Sequence, residues 1–225
     1  TWPFTSWGTA ATGIQIAISA SYPDDIITVT NGTYDYDQAF LFVIGPGSMR
    51  NRIALTNQVE VRSLNGPAVT TIIGSGPPGT SAIRCAYVGS NSLLSGFTLI
   101  DGCTPTNGFP AGTGGGAWLD YDGRVSNCVI VANQAAWGGG VYCRAGSEVV
   151  GSTVAANTAT WDGGGVYCDL GGTLRDCAIT SNACGPSGYG GGVYCFRGGT
   201  VEQCIVLGNT AAGGGGISIA GAGVV

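Results

Sequence analysis

The stretch GGGVYC is written three times in this chain, at Gly138–Cys143, Gly163–Cys168 and Gly190–Cys195. A catalytic signature is built once, so a motif repeated at even spacing is first an instruction about architecture. The triple glycines that open at Gly114, Gly138, Gly163, Gly190 and Gly214 are separated by 24, 25, 27 and 24 residues. The same columns recur around them. Leu119, Cys143, Cys168, Cys195 and Ile219 occupy one, followed by the polar turns YDG, AGS, LGG and RGG. A second strand then follows (VSNCVIVAN, VVGSTVAAN, LRDCAITSN, VEQCIVLGN), ending each time in asparagine: Asn133, Asn157, Asn182 and Asn209.

Each unit holds short strand-like runs broken by turns, with no helical period. A propeller blade needs about 40 residues or more, and the L-x-x-L-x-L pattern of leucine-rich repeats is missing. Units of this length fit an all-β right-handed parallel β-helix, a solenoid whose coils rise by one strand spacing, about 4.8 Å. Side chains alternate in a strand, which sends Val141/Cys143, Val166/Cys168 and Val193/Cys195 inward. Tyr142, Tyr167 and Tyr194 then form an outer ladder with Trp118. Cys128, Ser152, Cys177 and Cys204 make a second ladder of small residues, accompanied by Ile130, Val154, Ile179 and Val206. The asparagines belong at a tight bend, where the amide bonds along its own column and tolerates left-handed φ. The glycines belong at another corner, which demands positive φ or close coil packing.

The N-terminal half follows the same plan less regularly. GIQIAISAS (Gly13–Ser21) places Ile14, Ala17, Ile18 and Ser21 on one face of a short helix, the expected N-terminal cap over an open apolar end. PDDIITVTNGTY supplies a first strand and turn; VEVRSLNG, TTIIGSG, AIRCAYV and LLSGFTLIDG each read as a further coil strand. The expectation is a single domain of about eight coils and about 40 Å: 1–22 the cap, 23–113 irregular coils, 114–225 the regular repeats.

The order GIQIAISASYPDDIITVTNGTY … VRSLNGP … TIIGSG … LLSGFTLIDG … GGG … VSNCVIVANQAA … GGGVYC resembles the right-handed parallel β-helix proteins of the pectate-lyase-like superfamily. Its repeats are similar to those of polymorphic outer-membrane, autotransporter-type bacterial surface proteins. The resemblance covers nearly the whole chain. It implies the fold, but it leaves function open, because that superfamily holds lyases, hydrolases, epimerases, tailspikes and adhesins.

Composition narrows the field. Charged residues are 9% of the 225, against about 25% in an average soluble protein, and Gly reaches 42. Regular Val, Ile and Cys within the glycine-rich segments argue against a disordered linker. All eight basic residues are Arg; there is no Lys and no His. Schiff-base lysines, histidine bases and histidine metal sites are thereby excluded. A net charge of -5 and a pI near 4.4 disfavour a nucleic-acid partner. No apolar run approaches the roughly 18 residues of a membrane helix. The start at Thr1 suits a mature chain or an excised domain, and the Thr-, Ser-, Asn- and Gly-rich composition suits a secreted, extracellular bacterial protein.

The search for chemistry returns little. A calcium-dependent lyase needs an Arg base beside clustered carboxylates. Arg124, Arg144, Arg175 and Arg197 are available, and Asp120, Asp122, Glu148 and Asp169 near one turn read first as solvated turn residues, with a loose acidic strip for Ca2+ as the lesser alternative; no cofactor is expected. The paired-aspartate and GHG motifs of polygalacturonases are missing, as are a phosphate-loop Lys after GGG and a C-x2-C metal pair. Of the nine cysteines, those on strands read as interior thiols or as cross-coil disulfides such as Cys143–Cys168. Cys103 and Cys184 lie in longer loops, and bonding them requires the first loop to fold down. Trp137, Trp161 and Tyr189 precede successive glycine corners as a second aromatic column, suited to sugar rings or a subunit interface. The C-terminal GGGGISIAGAGVV stops in mid-coil, making Ile217, Ile219, Val224 and Val225 candidates for end-to-end stacking. The leading expectation is thus a non-catalytic surface, filament or adhesin-like module that self-associates. A polysaccharide lyase, an epimerase or a carbohydrate-binding rod is the alternative.

Overall fold

The computed structural model describes residues 6–35, 40–44, 47–106 and 108–221. It is a parallel β-helix whose wall is made of three long sheets. A first sheet of seven strands runs from Ile26–Val29 through Arg124–Ser126 to Thr200–Glu202. An asparagine sheet, also of seven, runs from Gly32–Tyr34 through Val129–Val131 to Ile205–Leu207. A glycine sheet of eight contains Gly47–Leu55, Val141–Cys143, Val166–Asp169 and Ile217–Ala220. A short three-stranded ladder, with Gln134–Ala135 at its start, carries the chain from each asparagine to the next glycines. Strands of successive coils pair parallel and in register, Tyr142 facing Trp118 on one side and Tyr167 on the other. The hairpin of Phe40–Ile44 with Gly47–Leu55 runs antiparallel.

Seven strands give six rises, so the solenoid has about six turns and a length of about 29 Å, not the eight turns and 40 Å expected. The reason lies in the irregular half. From Ile26 to Glu60 to Leu93 to Arg124 the turns take 34, 33 and 31 residues, and only afterwards 24, 25 and 27. VEVRSLNG, TTIIGSG and AIRCAYV are three sides of one turn, because Glu60–Ser63, Thr70–Ile73 and Ile83–Val88 fall in three different sheets.

The cap forms as a helix over Ile14–Ala20 that buries Ile14 and Ile18 in the main core and leaves Ile16 outside. Its Gln15 substitutes for a neighbouring strand: Oε1 accepts the Ala54 amide at 2.7 Å and Nε2 donates to the Ala54 carbonyl at 3.2 Å. Behind it the interior is a set of stacks, Val125–Val149–Leu174, Ile130–Val154–Ile179 and Val141–Val166–Val193, all fully buried. Each such side chain contributes about 1.5–3 kcal/mol on leaving water.

The asparagines turn inward and join into one column. Asn133, Asn157 and Asn182 each donate Nδ2 to the Oδ1 of the next, at 2.9, 3.0 and 2.9 Å. Each Oδ1 also accepts the backbone amide of the asparagine one coil earlier, and each Nδ2 also reaches a backbone carbonyl, as Asn157 does at Ile130 (2.9 Å). The left-handed conformation expected of the asparagines belongs to the residue before them: Ala132, Ala156, Ser181 and Gly208 have φ of 52 to 66°. The bend itself is therefore made one position earlier, freeing the amide to face inward.

The three glycines of each corner have three separate reasons. The first is left-handed (φ 62° at Gly138). A Cβ on the second would strike main chain on both sides, at Gly139 the carbonyl oxygens of Thr158 and Gly164. A Cβ on the third would meet the asparagine column: at Gly140 it would lie 2.9 Å from Asn157 Nδ2.

Asn157→Ala leaves buried partners orphaned on three sides. It is expected to cost about 3–5 kcal/mol and lower Tm by about 8–15 °C. Asn209→Ala, at the partly exposed end of the column, should cost about 1–2 kcal/mol. Urea and thermal melts of the two variants measure the difference.

Candidate functional site

The residues with functional potential gather on the outer face of the glycine sheet. Alternation sends every second side chain outward there, and the zero register stacks them into a single pile. Ring centroids step along it at 5.2 Å from Tyr87 to Trp118, then 5.9 Å to Tyr142, 5.4 Å to Tyr167 and 5.2 Å to Tyr194. Tyr87 extends the pile by one coil beyond the sequence-derived ladder; its signal was the strand AIRCAYV, whose Tyr aligns with Trp118 only once the longer irregular turn is known.

The pile faces outward as expected, but it is covered along part of its length. Trp118 and Tyr142 are 2% and 1% exposed, while Tyr167 and Tyr194 are half-buried. The long loop before the first glycine corner brings Phe109 edge-on to Tyr142 at 5.9 Å. The Arg144 guanidinium lies 5.7 Å over Trp118 and 3.9 Å over Tyr121, whose hydroxyl it also contacts. Trp118 Nε1 is buried without a hydrogen-bond partner.

Charge follows the pile in alternation. Asp120 accepts the Tyr87 hydroxyl at 2.9 Å and Arg144 at 3.0 Å. One coil beyond Arg144, Asp169 accepts the Tyr142 hydroxyl at 2.9 Å and the fork of Arg197 at 2.8–3.1 Å. Burial, with the adjacent aspartate charge second, pushes the Tyr87, Tyr142 and Tyr167 phenols well above their ordinary range. On the first sheet Arg124 pairs with Glu148 at 3.0 Å and Arg175 with Glu202 at 3.6 Å.

The acidic strip is thus dispersed. Asp120 and Asp169 are held separately by arginines, Glu148 lies on another sheet, and the Asp122 carboxylate rests against Gly146 in an exposed turn. Among the described residues no group of three or more carboxylate or thiol side chains is arranged to hold a metal ion.

The second aromatic column is out of line. The residue directly before the glycines is Trp137 in one coil, Asp162 in the next and Tyr189 in the third, as the amide bonds from Gly138 to Asp162 and from Gly163 to Tyr189 show. Trp161 sits one position earlier, level with Ala136. Trp161 and Tyr189 are 45% and 52% exposed, Trp137 is half-buried, and no ring contact joins these three residues. The Tyr189 ring lies across Gly213 of the following coil, close enough that a Cβ there would collide with it.

All nine cysteines are free. Cys143 and Cys168 lie in register without bonding. Cys103 is level with Gln134, and hence with Thr158 and Ala183, so three rises of about 4.8 Å separate it from the level of Cys184; a disulfide spans at most about 6.8 Å between Cα atoms. Ile217 is half-buried and Ile219 41% exposed on the last described coil, whereas Val224 and Val225 lie outside the described residues. Comparison with protein-family models, curated proteins and solved structures returns no match.

The raised phenol pKa values set an alkaline limit. An unfolded tyrosine loses its proton near pH 10, the folded ones hold theirs, and the unfolded state therefore binds fewer protons above that pH. Stability should begin to fall above about pH 8.5, where unfolded cysteines ionise but the buried Cys85, Cys128 and Cys177 thiols hold their protons, and fall more steeply beyond about pH 10, where Tyr142→Phe should make the fall shallower. Urea midpoints across that range, followed with tyrosinate absorbance, provide the check.

Proposed function

We propose that this β-helix is a non-catalytic, extracellular structural rod, a surface or filament module that associates with itself. The observation that carries the reading is the pairing of its charges. Arg124, Arg144 and Arg197 each engage one carboxylate, Arg175 engages two (Asp176 at 3.5 Å and Glu202 at 3.6 Å), and Asp120 and Asp169 also hold hydroxyls of the aromatic pile. Charge on this wall ties coil to coil. The order of motifs supports kinship with pectate-lyase-like β-helices and autotransporter-type repeats, and the low charge with abundant Thr, Ser, Asn and Gly supports a secreted bacterial setting.

Self-association is assigned to the end of the rod. On the last described coil the strands Thr200–Glu202, Ile205–Leu207 and Ile217–Ala220 each have one neighbour among the described residues, and Ile205, Leu207 and Ile219 are 66%, 68% and 41% exposed. An apolar edge of this kind is a template for another strand. Trp161 and Tyr189 favour a second reading, in which the rod also binds polysaccharide by ring stacking. The lyase or epimerase alternative requires arginines converging with at least three carboxylates around Ca2+, and the carboxylates here are spread among separate arginines, at most two to one.

Electron micrographs and light scattering of the purified chain are expected to show rods that lengthen by about 3 nm per subunit. Leu207→Lys should shorten them by charging the edge. A strictly monomeric chain at high concentration sinks the assembly reading. Glycan binding lost in Trp161→Ala, with rod length unchanged, would identify the second.

A further inference from the structure

Six of the nine thiols donate to a backbone carbonyl: Cys85 to Ile100 (3.2 Å), Cys103 to Thr104 (3.9 Å), Cys128 to Leu94 (3.8 Å), Cys177 to Val149 (3.3 Å), Cys184 to Tyr189 (3.5 Å) and Cys204 to Glu202 (3.2 Å). The other three are Cys143, Cys168 and Cys195. They stand in register on three successive coils, fully buried, and no oxygen or nitrogen of the described residues accepts from them. The Cys168 thiol stands between Cys143 on one side and Cys195 on the other, within the apolar core. Three buried polar groups therefore point into one another with nothing else to bind.

Spacing decides what such a column can hold. In-register strands lie about 4.8 Å apart, and parallel side chains carry that separation out to the sulfurs. A disulfide needs Cβ atoms within about 3.5–4.5 Å and sulfurs about 2.05 Å apart. Forming one would pull two coils together against the asparagine column, which sets their rise. A metal ion bound linearly between two thiolates spans twice a metal–sulfur bond of about 2.3 Å (the zinc–thiolate length), or about 4.6 Å, and fits the rise as it stands.

We propose that the pairs Cys143–Cys168 and Cys168–Cys195 are two overlapping two-thiol sites, only one filled at a time, for a soft divalent d10 cation that accepts linear two-coordination, Hg(II) being the type. Soft thiolates select such an ion. Binding replaces two protons, M2+ + 2 RSH → M(SR)2 + 2 H+, and the product is neutral. Neutrality matters because the surrounding core is Val141, Val166, Val193 and Leu119, where an uncompensated charge is costly. Zinc, which takes four ligands, finds too few here. Cys168 is shared, so the ion occupies one of two adjacent gaps. A Cβ on Gly199 would lie 3.0 Å from Cys195 Sγ and 3.2 Å from Cys168 Cβ, so the glycine turn packs directly against this part of the column.

The test uses the full chain with the half-buried Cys184 and Cys204 replaced by serine, to remove competing thiols. One equivalent of Hg(II) is expected to bind, with sulfur-to-metal charge-transfer absorption and two sulfur ligands at about 2.3 Å by X-ray absorption. Cys168→Val on that background leaves Cys143 and Cys195 two rises, about 9.6 Å, apart and should weaken binding by at least about 100-fold. Valine suits the position, since the same column holds Leu55, Val88, Leu119 and Ile219. Cys143→Leu/Cys195→Ile, which keeps Cys168 alone, should lose binding equally, and Cys128→Ser should keep it. Three or more sulfur ligands, nitrogen or oxygen ligation, no uptake, or unchanged affinity in both column variants would each overturn the proposal.

Discussion

The asparagine column and the third glycine of each corner depend on each other. The amide of Asn157 can lie flat between Asn133 and Asn182 only because Gly140 offers no Cβ to the space that its Nδ2 occupies, as Gly165 does for Asn182. The amide is self-complementary, one donor and one acceptor per step with a donor to spare for a carbonyl, so the column satisfies itself along the axis. It also tolerates no slip. A shift of one residue would place a methyl or a hydroxyl against the glycine corner and strand every amide at once. Zero register follows, and with it the vertical stacking of everything else on the wall.

Like stacked on like has an electrostatic consequence. A column of equal charges at strand spacing is destabilising, so charged positions must be rare or alternate in sign. Both are seen. Charged residues are 9% of the chain, and along the outer wall Asp120, Arg144 and Asp169 succeed one another on adjacent coils. The same rule places Arg124 beside Glu148 and Arg175 beside Glu202 on the first sheet. The low charge of this sequence is thus a requirement of its register, and the charges that remain are committed to holding coils together.

The repeat half was legible because its contacts are local in the column sense: each side chain meets its own equivalent, so period and alternation predict inward cysteines, outward tyrosines and paired asparagines. What escaped reading depends on contacts that occur once. Gln15 acting as a strand for Ala54, and Arg52 donating to the Ile73 carbonyl at 2.7 Å, hold the first coils together without leaving a period. Those coils are also longer, at 34, 33 and 31 residues, and counting short strands overestimated the turns. Trp118 and Tyr142 were correctly placed on the outer face, but Arg144 lies over the first and Phe109 against the second, and the loop that carries Phe109 leaves no column to read. Trp161 fell out of line because Asp162 takes the position before the glycines and binds the Tyr189 amide at 2.8 Å.

The two inward polar columns show how far one register can be served by different chemistry. Asparagine closes its own hydrogen bonds at each step, and burial makes that closure stronger. A thiol is a weak donor and a weaker acceptor, so the same geometry leaves the column of Cys143, Cys168 and Cys195 packed as hydrophobes. Where Ser152 interrupts the other small-residue ladder, its hydroxyl accepts the Cys128 amide at 3.1 Å and restores the satisfied pattern. The sulfur column has no such substitute. It is the place in the interior where stacking is complete and bonding is not, which is why ligand chemistry there is decided by the coil rise rather than by any single residue.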